Sequence, residues 1–216
     1  MIRAIIADDH TILREGLKQL LQASGDIEVV AEAGDGHGVL QAIRAHDCDV
    51  LILDMSMPGR SGMDLIRQVK AEKPRLRILV LSMHGENQYA VRAIKSGASG
   101  YVTKDSASTQ LVTAIRKVAG GGAFISGEVA EQLALGAMPD AVGPVHERLS
   151  DREYQVFTLL AGGATVSAIA ERLNLSSKTV STHKARLMEK LNVGNSAELI
   201  HYALRHGLTA DPNAPE

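Results

Sequence analysis

Residues 50–58 read Val-Leu-Ile-Leu-Asp-Met-Ser-Met-Pro. Four apolar residues in a row, with no polar alternation, do not suit a strand with one wet face. They suit a strand buried on both sides, as in a parallel sheet covered by helices. The run stops on Asp54, and Pro58 closes the segment behind it. Similar runs recur on either side. Candidate strands are Arg3–Ala7, Glu28–Ala33, Val50–Leu53, Arg77–Leu81 and Gly100–Thr103. Amphipathic stretches separate or follow them at Thr11–Ala23, Val39–Ala45, Met63–Lys73, Gln88–Ser96 and Thr109–Val118. Five strands alternating with five helices predict an α/β fold, a doubly wound five-stranded parallel sheet in the flavodoxin-like order.

Gly120–Gly122 ends this pattern, because three glycines do not propagate a helix. The expected domains are therefore 1–122, a linker at 123–147 holding one short helix (Glu128–Leu135), a second domain at 148–208, and a flexible tail at 209–216. The second domain reads as purely helical. Ser150-Asp151-Arg152-Glu153 is a capping box opening a helix to about Ala161, where Gly162-Gly163 stops it. Helices follow at Val166–Leu173, from Ser176 or Ser177 to Leu191, and at about Ala197–Arg205 before Gly207.

Composition agrees with two domains: 216 residues, 45% hydrophobic, but only 3% aromatic and without Trp, so the cores must be aliphatic. A single cysteine, Cys48, excludes an internal disulfide and any multi-cysteine zinc site. No apolar stretch approaches the roughly 18 residues of a membrane span, and the opening MIRAIIADDH lacks a signal-peptide pattern. A cytoplasmic protein without membrane contact is expected. Residues 148–208 carry 8 basic against 5 acidic residues, which permits nucleic-acid binding without demonstrating it.

Open parallel sheets bind ligands beyond the carboxyl ends of their strands. Here those ends carry Asp8 and Asp9 after the first strand, Asp54 after the third, Ser82 after the fourth and Lys104 after the fifth. Three converging carboxylates repel, and a hard cation such as Mg2+ would relieve them. Asp54 is then a carboxylate nucleophile able to form an aspartyl phosphate. Lys104 would neutralise charge on the phosphoryl group and Ser82 would offer it a hydroxyl. An isolated aspartate at a strand end is ordinarily a turn or a cap, and Asp8 alone could cap the helix beginning near Thr11. Tyr101 alone reads as a half-buried strand aromatic, and His10 and His84 as bystanders. Matching residue types at successive strand ends outweigh these blander readings.

The set Asp8-Asp9, Asp54-Met55-Ser56-Met57-Pro58 with Gly62, Ser82, Tyr101 and Lys104 resembles the receiver domain of two-component signalling. The resemblance implies phosphotransfer to Asp54 from a histidine kinase and Mg2+ held by Asp9, Asp54 and the carbonyl of Ser56, with Asp8 beside them. It also implies that Ser82 moves toward the phosphate and that Tyr101 turns inward. Asp105 departs from the family, in which many receivers carry proline after the lysine.

In the third C-terminal helix, Val180, Leu187 and Leu191 share one side, with Lys184 flanking them. Lys178, Ser181, Thr182, Ala185, Arg186 and Glu189 face the other way. This is the layout of a recognition helix in a helix-turn-helix, whose polar outer arc enters the major groove. Lys178, Ser181, Thr182, Lys184 and Arg186 are the expected contacts to double-stranded DNA. A charged arc is more commonly just a solvated face, but the motifs around it are specific. Leu149-Ser150-x-Arg152-Glu153, Leu160-Ala161-x-Gly163, Ile169-Ala170, Thr179-Val180-x-x-His183 and Lys190-Leu191-x-Val193 resemble the LuxR-type DNA-binding domain. Ser181 departs from that pattern, which often has lysine there. The combination resembles the NarL/FixJ class of response regulators. That class implies a transcription regulator rather than an enzyme, its own chemistry limited to slow self-phosphorylation and self-dephosphorylation. It also implies a homodimer formed through Leu199, Ala203 and Leu204. A Mg2+-dependent phosphatase is the enzymatic rival, but Asp54 lacks the second aspartate two residues on that many such enzymes carry. A regulator governed by protein contacts instead of phosphate is the other rival, and the intact acidic set argues against it.

Overall fold

The computed structural model describes residues 1–57, 62–83, 87–135 and 144–208. Pro58, His84 and the tail 209–216 lie outside the described residues, as does much of the expected linker. The chain divides into two compact units, Met1–Leu133 and Ala134–Glu216.

In the first unit, β1 (Ile2–Ala7), β2 (Ile27–Ala33), β3 (Val50–Asp54), β4 (Arg77–Ser82) and β5 (Gly100–Thr103) form one sheet in the order β2-β1-β3-β4-β5. Every pairing is parallel. The order reverses between β1 and β3, so the ends of these strands open one crevice at the switch point. The helices α1 (Thr11–Ala23), α2 (Gly36–Ala45), α3 (Met63–Glu72) and α4 (Asn87–Lys95) supply the crossovers, and α5 (Ala107–Ala119) follows the last strand. Helix α2 begins three residues before the expected Val39, because Asp35 caps it by accepting the Gly38 N–H at 2.8 Å. Alternate strand residues serve opposite faces. Ala4, Ile6, Val50, Ile52, Leu79 and Leu81 pack with Leu17, Leu21, Leu111 and Ile115 of α1 and α5. The residues between them, Ile5, Leu51, Leu53, Ile78 and Val80, are equally buried. Each such aliphatic side chain contributes about 1.5–3 kcal/mol by burial.

The unit does not end at Gly122. Gly121, at φ 90°, turns the chain back, and Phe124 pairs in parallel with Gly100 at the edge of β5. Helix α6 (Gly127–Leu135) follows, so the expected linker begins inside the first unit.

The second unit opens with a 3-10 turn at Val145–Arg148, which the sequence pattern did not suggest. It continues with α7 (Asp151–Ala161), α8 (Val166–Arg172), α9 (Ser177–Leu191) and α10 (Ser196–Arg205). The Ser150 capping box is fully formed. Thr165, Ser176 and Asn195 cap the three later helices through their side chains. Val156, Phe157, Ile169, Val180, Leu187 and Ala203 are fully buried between these helices. Among the described residues, no helix is long and apolar enough to cross a membrane.

Candidate functional site

Strands β1 and β3 deliver their terminal carboxylates side by side. Asp8 and Asp54 are each 0% exposed, whereas the Asp9 side chain is 32% exposed. Asp54 Oδ1 accepts the Ser56 N–H at 3.1 Å, and its Oδ2 accepts from Lys104 Nζ at 3.0 Å. The same ammonium lies 2.6 Å from Asp8 Oδ2. That second approach is a charge contact without hydrogen-bond alignment, since Asp8 Oδ2 makes no geometrically sound hydrogen bond. Lys104 reaches both carboxylates because its own N–H donates to the Ser82 carbonyl at 2.8 Å, tying the end of β5 to the end of β4. Ser82 is fully buried at that point, and Tyr101 is half-buried further up β5. The structure thus brings Asp8, Asp9, Asp54, Ser56, Ser82 and Lys104 to one place. Tyr101 faces the α4 side instead, against Ala90, Val91 and Val129. The Lys104–Asp105 peptide is trans, like all described peptide bonds.

Burial pushes the Asp54 carboxyl above its ordinary value, and the neighbouring Asp8 charge adds to this. The Lys104 hydrogen bond and charge, with the Ser56 N–H, pull the other way without cancelling it. Burial works to depress Lys104, but its two carboxylate partners outweigh burial and hold it above the usual lysine range. One ammonium against three carboxylates leaves excess negative charge in a largely dry crevice, which calls for a cation.

Two details differ from the sequence reading. Asp8 does not cap α1; the N-cap is His10, which makes no side-chain cap bond. Asp8 Oδ1 instead accepts the His10 N–H at 2.8 Å and points into the crevice. Nor is His10 a bystander. Its Nδ1 lies 3.0 Å from Asp8 Oδ1 and 2.9 Å from Asp9 Oδ1. Potential ligand atoms of Asp8, Asp9, His10 and Asp54 all fall within 4.8 Å of one another. This oxygen-rich donor set, with a buried carboxylate oxygen still short of a hydrogen bond, fits a hard divalent cation. A cavity of about 650 Å3 lies at the opposite ends of the strands, lined among others by Arg3, Cys48, Lys73 and Arg77. It is remote from the crevice. Burial there pushes the Cys48 thiol up to about 11, which favours the protonated thiol at neutral pH.

In the second unit, Val180, Leu187 and Leu191 bury one side of α9, while Lys178, Ser181, Thr182, Ala185, Arg186 and Glu189 are exposed. Not all of the expected contacts are equally available. Lys184 Nζ donates to Ser196 Oγ at 3.0 Å, bracing α9 to the start of α10. The Thr182 hydroxyl donates back to the Lys178 carbonyl at 2.9 Å. Lys178 and Arg186 have no ion-pair partner among the described residues. The outer arc of α9 therefore keeps two uncommitted cations for a polyanion. The expected dimer face needs correction. Leu199 and Ala203 are 1% and 0% exposed, because they form the inner stripe of α10 against the unit's own core. Of the three, only Leu204, at 45%, can meet a partner.

Residues 4–116 match the response regulator receiver domain, and residues 147–203 match the bacterial regulatory proteins of the luxR family. The chain belongs to the response regulators that join a receiver to a LuxR-type helix-turn-helix, and it is a DNA-binding transcription regulator of that class, not a classical enzyme. Its relatives include the response regulator UvrY of Escherichia coli O6:H1, 37% identical over 209 residues and 96% of each chain. The response regulator GacA of Pseudomonas aeruginosa is 34% identical over 96% of this chain and 98% of its own. Among solved structures, RcsB of Salmonella enterica serovar Typhimurium bound to promoter P1flhDC in the presence of phosphomimetic BeF3− superposes with a TM-score of 0.67. It is 33% identical over 93% of this chain and 97% of that one.

Proposed function

We propose that Asp54 is the phosphoacceptor of a switch that controls how α9 engages promoter DNA. The observation that carries this reading is the pairing of a fully buried Asp54 with Lys104 Nζ at 3.0 Å and the Ser56 N–H at 3.1 Å. An Asp54 oxygen attacks the phosphorus of a phosphohistidine on a partner kinase. The new O–P bond forms as the P–N bond breaks, and the imidazole departs with a proton. With a small acyl phosphate, the leaving group is the carboxylate. Lys104 stays beside the site and balances charge on the phosphoryl oxygens, and the buried Ser82 hydroxyl in the same wall donates a hydrogen bond to one of them. Asp9, Asp54 and the Ser56 carbonyl, with Asp8 behind them, would hold Mg2+, which supplies charge neutralisation during the transfer. Slow self-phosphorylation and self-dephosphorylation are the only chemistry this arrangement supports, and a cytoplasmic kinase domain is the donor that fits it.

On the DNA side, Lys178 and Arg186 supply phosphate contacts, while Ser181 and Thr182 lie between them over the bases. Pairing of two chains through the exposed side of α10, around Leu204, would place two recognition helices on two half-sites. The test uses the whole protein with Mg2+ and acetyl phosphate, beside an Asp54→Ala variant, followed by gel shifts on promoter fragments. Asp54-dependent phosphorylation that tightens DNA binding is expected. Equal DNA binding in the two states would remove the switch and leave only the DNA reader.

A further inference from the structure

We infer that the cavity at the amino ends of the strands is an anion site, and that it takes a small phosphomonoester with an apolar body. This site is independent of the Asp54 crevice, which lies at the opposite ends of the same strands.

The cavity has preformed walls. Arg3 N–H donates to Asp49 Oδ2 at 2.8 Å, and Asp49 N–H donates back to the Arg3 carbonyl at 2.8 Å. Arg77 N–H donates to the Asp49 carbonyl at 3.1 Å. One residue thus ties the starts of β1, β3 and β4 together. In the loop between α3 and β4, Lys70 Nζ donates to the carbonyls of Pro74 and Leu76, and Leu76 N–H donates to the Lys73 carbonyl at 3.0 Å. The volume of about 650 Å3 is that of a small-molecule site. Ile43, Leu76 and Ala119 supply its apolar part.

Its charge is unbalanced. Arg3, Lys73, Arg75 and Arg77 line it against Asp47, Asp49 and Glu72. Glu72 is already taken by Arg44, which donates to both its oxygens at 2.7 Å. None of the four lining cations makes an ion pair among the described residues. Four positive charges therefore face two uncompensated negative ones, in a chain whose net charge is −2. Arg3, Lys73 and Arg77 are half-buried, so an anion held by them is screened less than one on an open surface. Burial and the Asp49 charge push the half-buried Cys48 thiol up, while Lys73 and Arg3 pull it down. Those two cations thus converge on one point. A phosphomonoester also puts its charge, about −1.5 to −2 at neutral pH, at one point. Its oxygens suit a guanidinium fork, whereas a dicarboxylate would split the charge between two places. The phosphate would sit beside Cys48, with its organic body on the apolar part.

Cys48 is the chain's only cysteine, so its labelling by N-ethylmaleimide reads this cavity alone. The full protein, in EDTA and at constant ionic strength, would be titrated with phenyl phosphate and with AMP, binding being followed by 31P NMR and thiol labelling in parallel. A probe at about ten times its dissociation constant should slow labelling about tenfold. Arg3→Gln and Lys73→Gln should each weaken binding about tenfold, the usual loss of one charge-assisted contact. Adenosine should give no protection and succinate less than the phosphate probes. Saturable binding that leaves Cys48 labelling unchanged would put the phosphate on the outer arc of α9 and overturn the site, as would binding unaffected by both substitutions. Equal protection by adenosine overturns the anionic reading, and equal protection by succinate overturns the phosphomonoester. Absence of saturable binding by both phosphate probes overturns the site outright.

Discussion

Replacing Asp9 with Asn should make the protein more stable in the absence of a divalent cation and less responsive to one. Asp9 lies within 4.8 Å of Asp8 and Asp54, and unlike them it has no contact with Lys104. Two unit charges 4–5 Å apart repel by about 1 kcal/mol in water and about 3–4 kcal/mol at an effective dielectric near 20. Asp9 is 32% exposed and Lys104 already offsets part of the field of the other two. We therefore expect a gain of about 1–2 kcal/mol, toward the screened limit. Loss of the His10 contact to Asp9 subtracts little, because the imidazole is 65% exposed. Urea unfolding in EDTA, read by circular dichroism and tyrosine fluorescence, would move its midpoint up by about 0.5–1 M for a receiver-sized unit. Mg2+ should reverse the ranking. At a hundredfold excess over its dissociation constant it adds about 2.7 kcal/mol to the wild type, and much less to the variant. An Asp9→Asn protein less stable than wild type in EDTA, or one stabilised equally by Mg2+, would refute this account of the crevice.

Because burial raises Asp54, the folded protein keeps its proton to higher pH than the unfolded chain does. Its contribution is fully present below the ordinary carboxylate value of about 3.9 and is lost as pH rises through the folded value. The stability difference between wild type and Asp54→Asn in EDTA should thus shift against the wild type over that window and then level off; a difference independent of pH would contradict it. For DNA, Lys178→Ala and Arg186→Ala should each flatten the salt dependence of binding by about one unit of slope. Lys184→Ala should change the slope little, since that ammonium is held by Ser196; an equal effect from all three would count against the assignment.

The sheet and the three carboxylates could be read from the sequence because each is written locally. An unbroken VLIL demands a strand buried on both faces, and a parallel sheet then delivers the strand-end residues to one crevice. The capping box at Ser150 is equally local. What escaped depends on contacts between distant elements. Phe124 and Ile125 form too short an apolar pair behind three glycines to read as a strand, and the bare backbone of Gly100 makes room for Phe124. Leu199 and Ala203 were assigned to a dimer face by the family resemblance, which does not say which residues of the helix the unit's own core covers. Lys184 counted as a free charge until the start of α10 was seen beside it. His10 is the exception, since it adjoins two of the acids; its being the first residue after the pair at the head of α1 was the available signal.

The capping box has one further consequence. Glu153 Oε2 accepts the Ser150 N–H at 2.8 Å and also Lys190 Nζ at 2.6 Å. One buried carboxylate oxygen therefore starts α7 and secures the last turn of α9, 37 residues away. The reading helix cannot fray at that end without stranding a charge that is 4% exposed. Its rigidity is established when the unit folds, so little conformational entropy remains to be lost on the duplex. Discrimination between operators then falls to side chains and to DNA shape, not to the ordering of the helix itself.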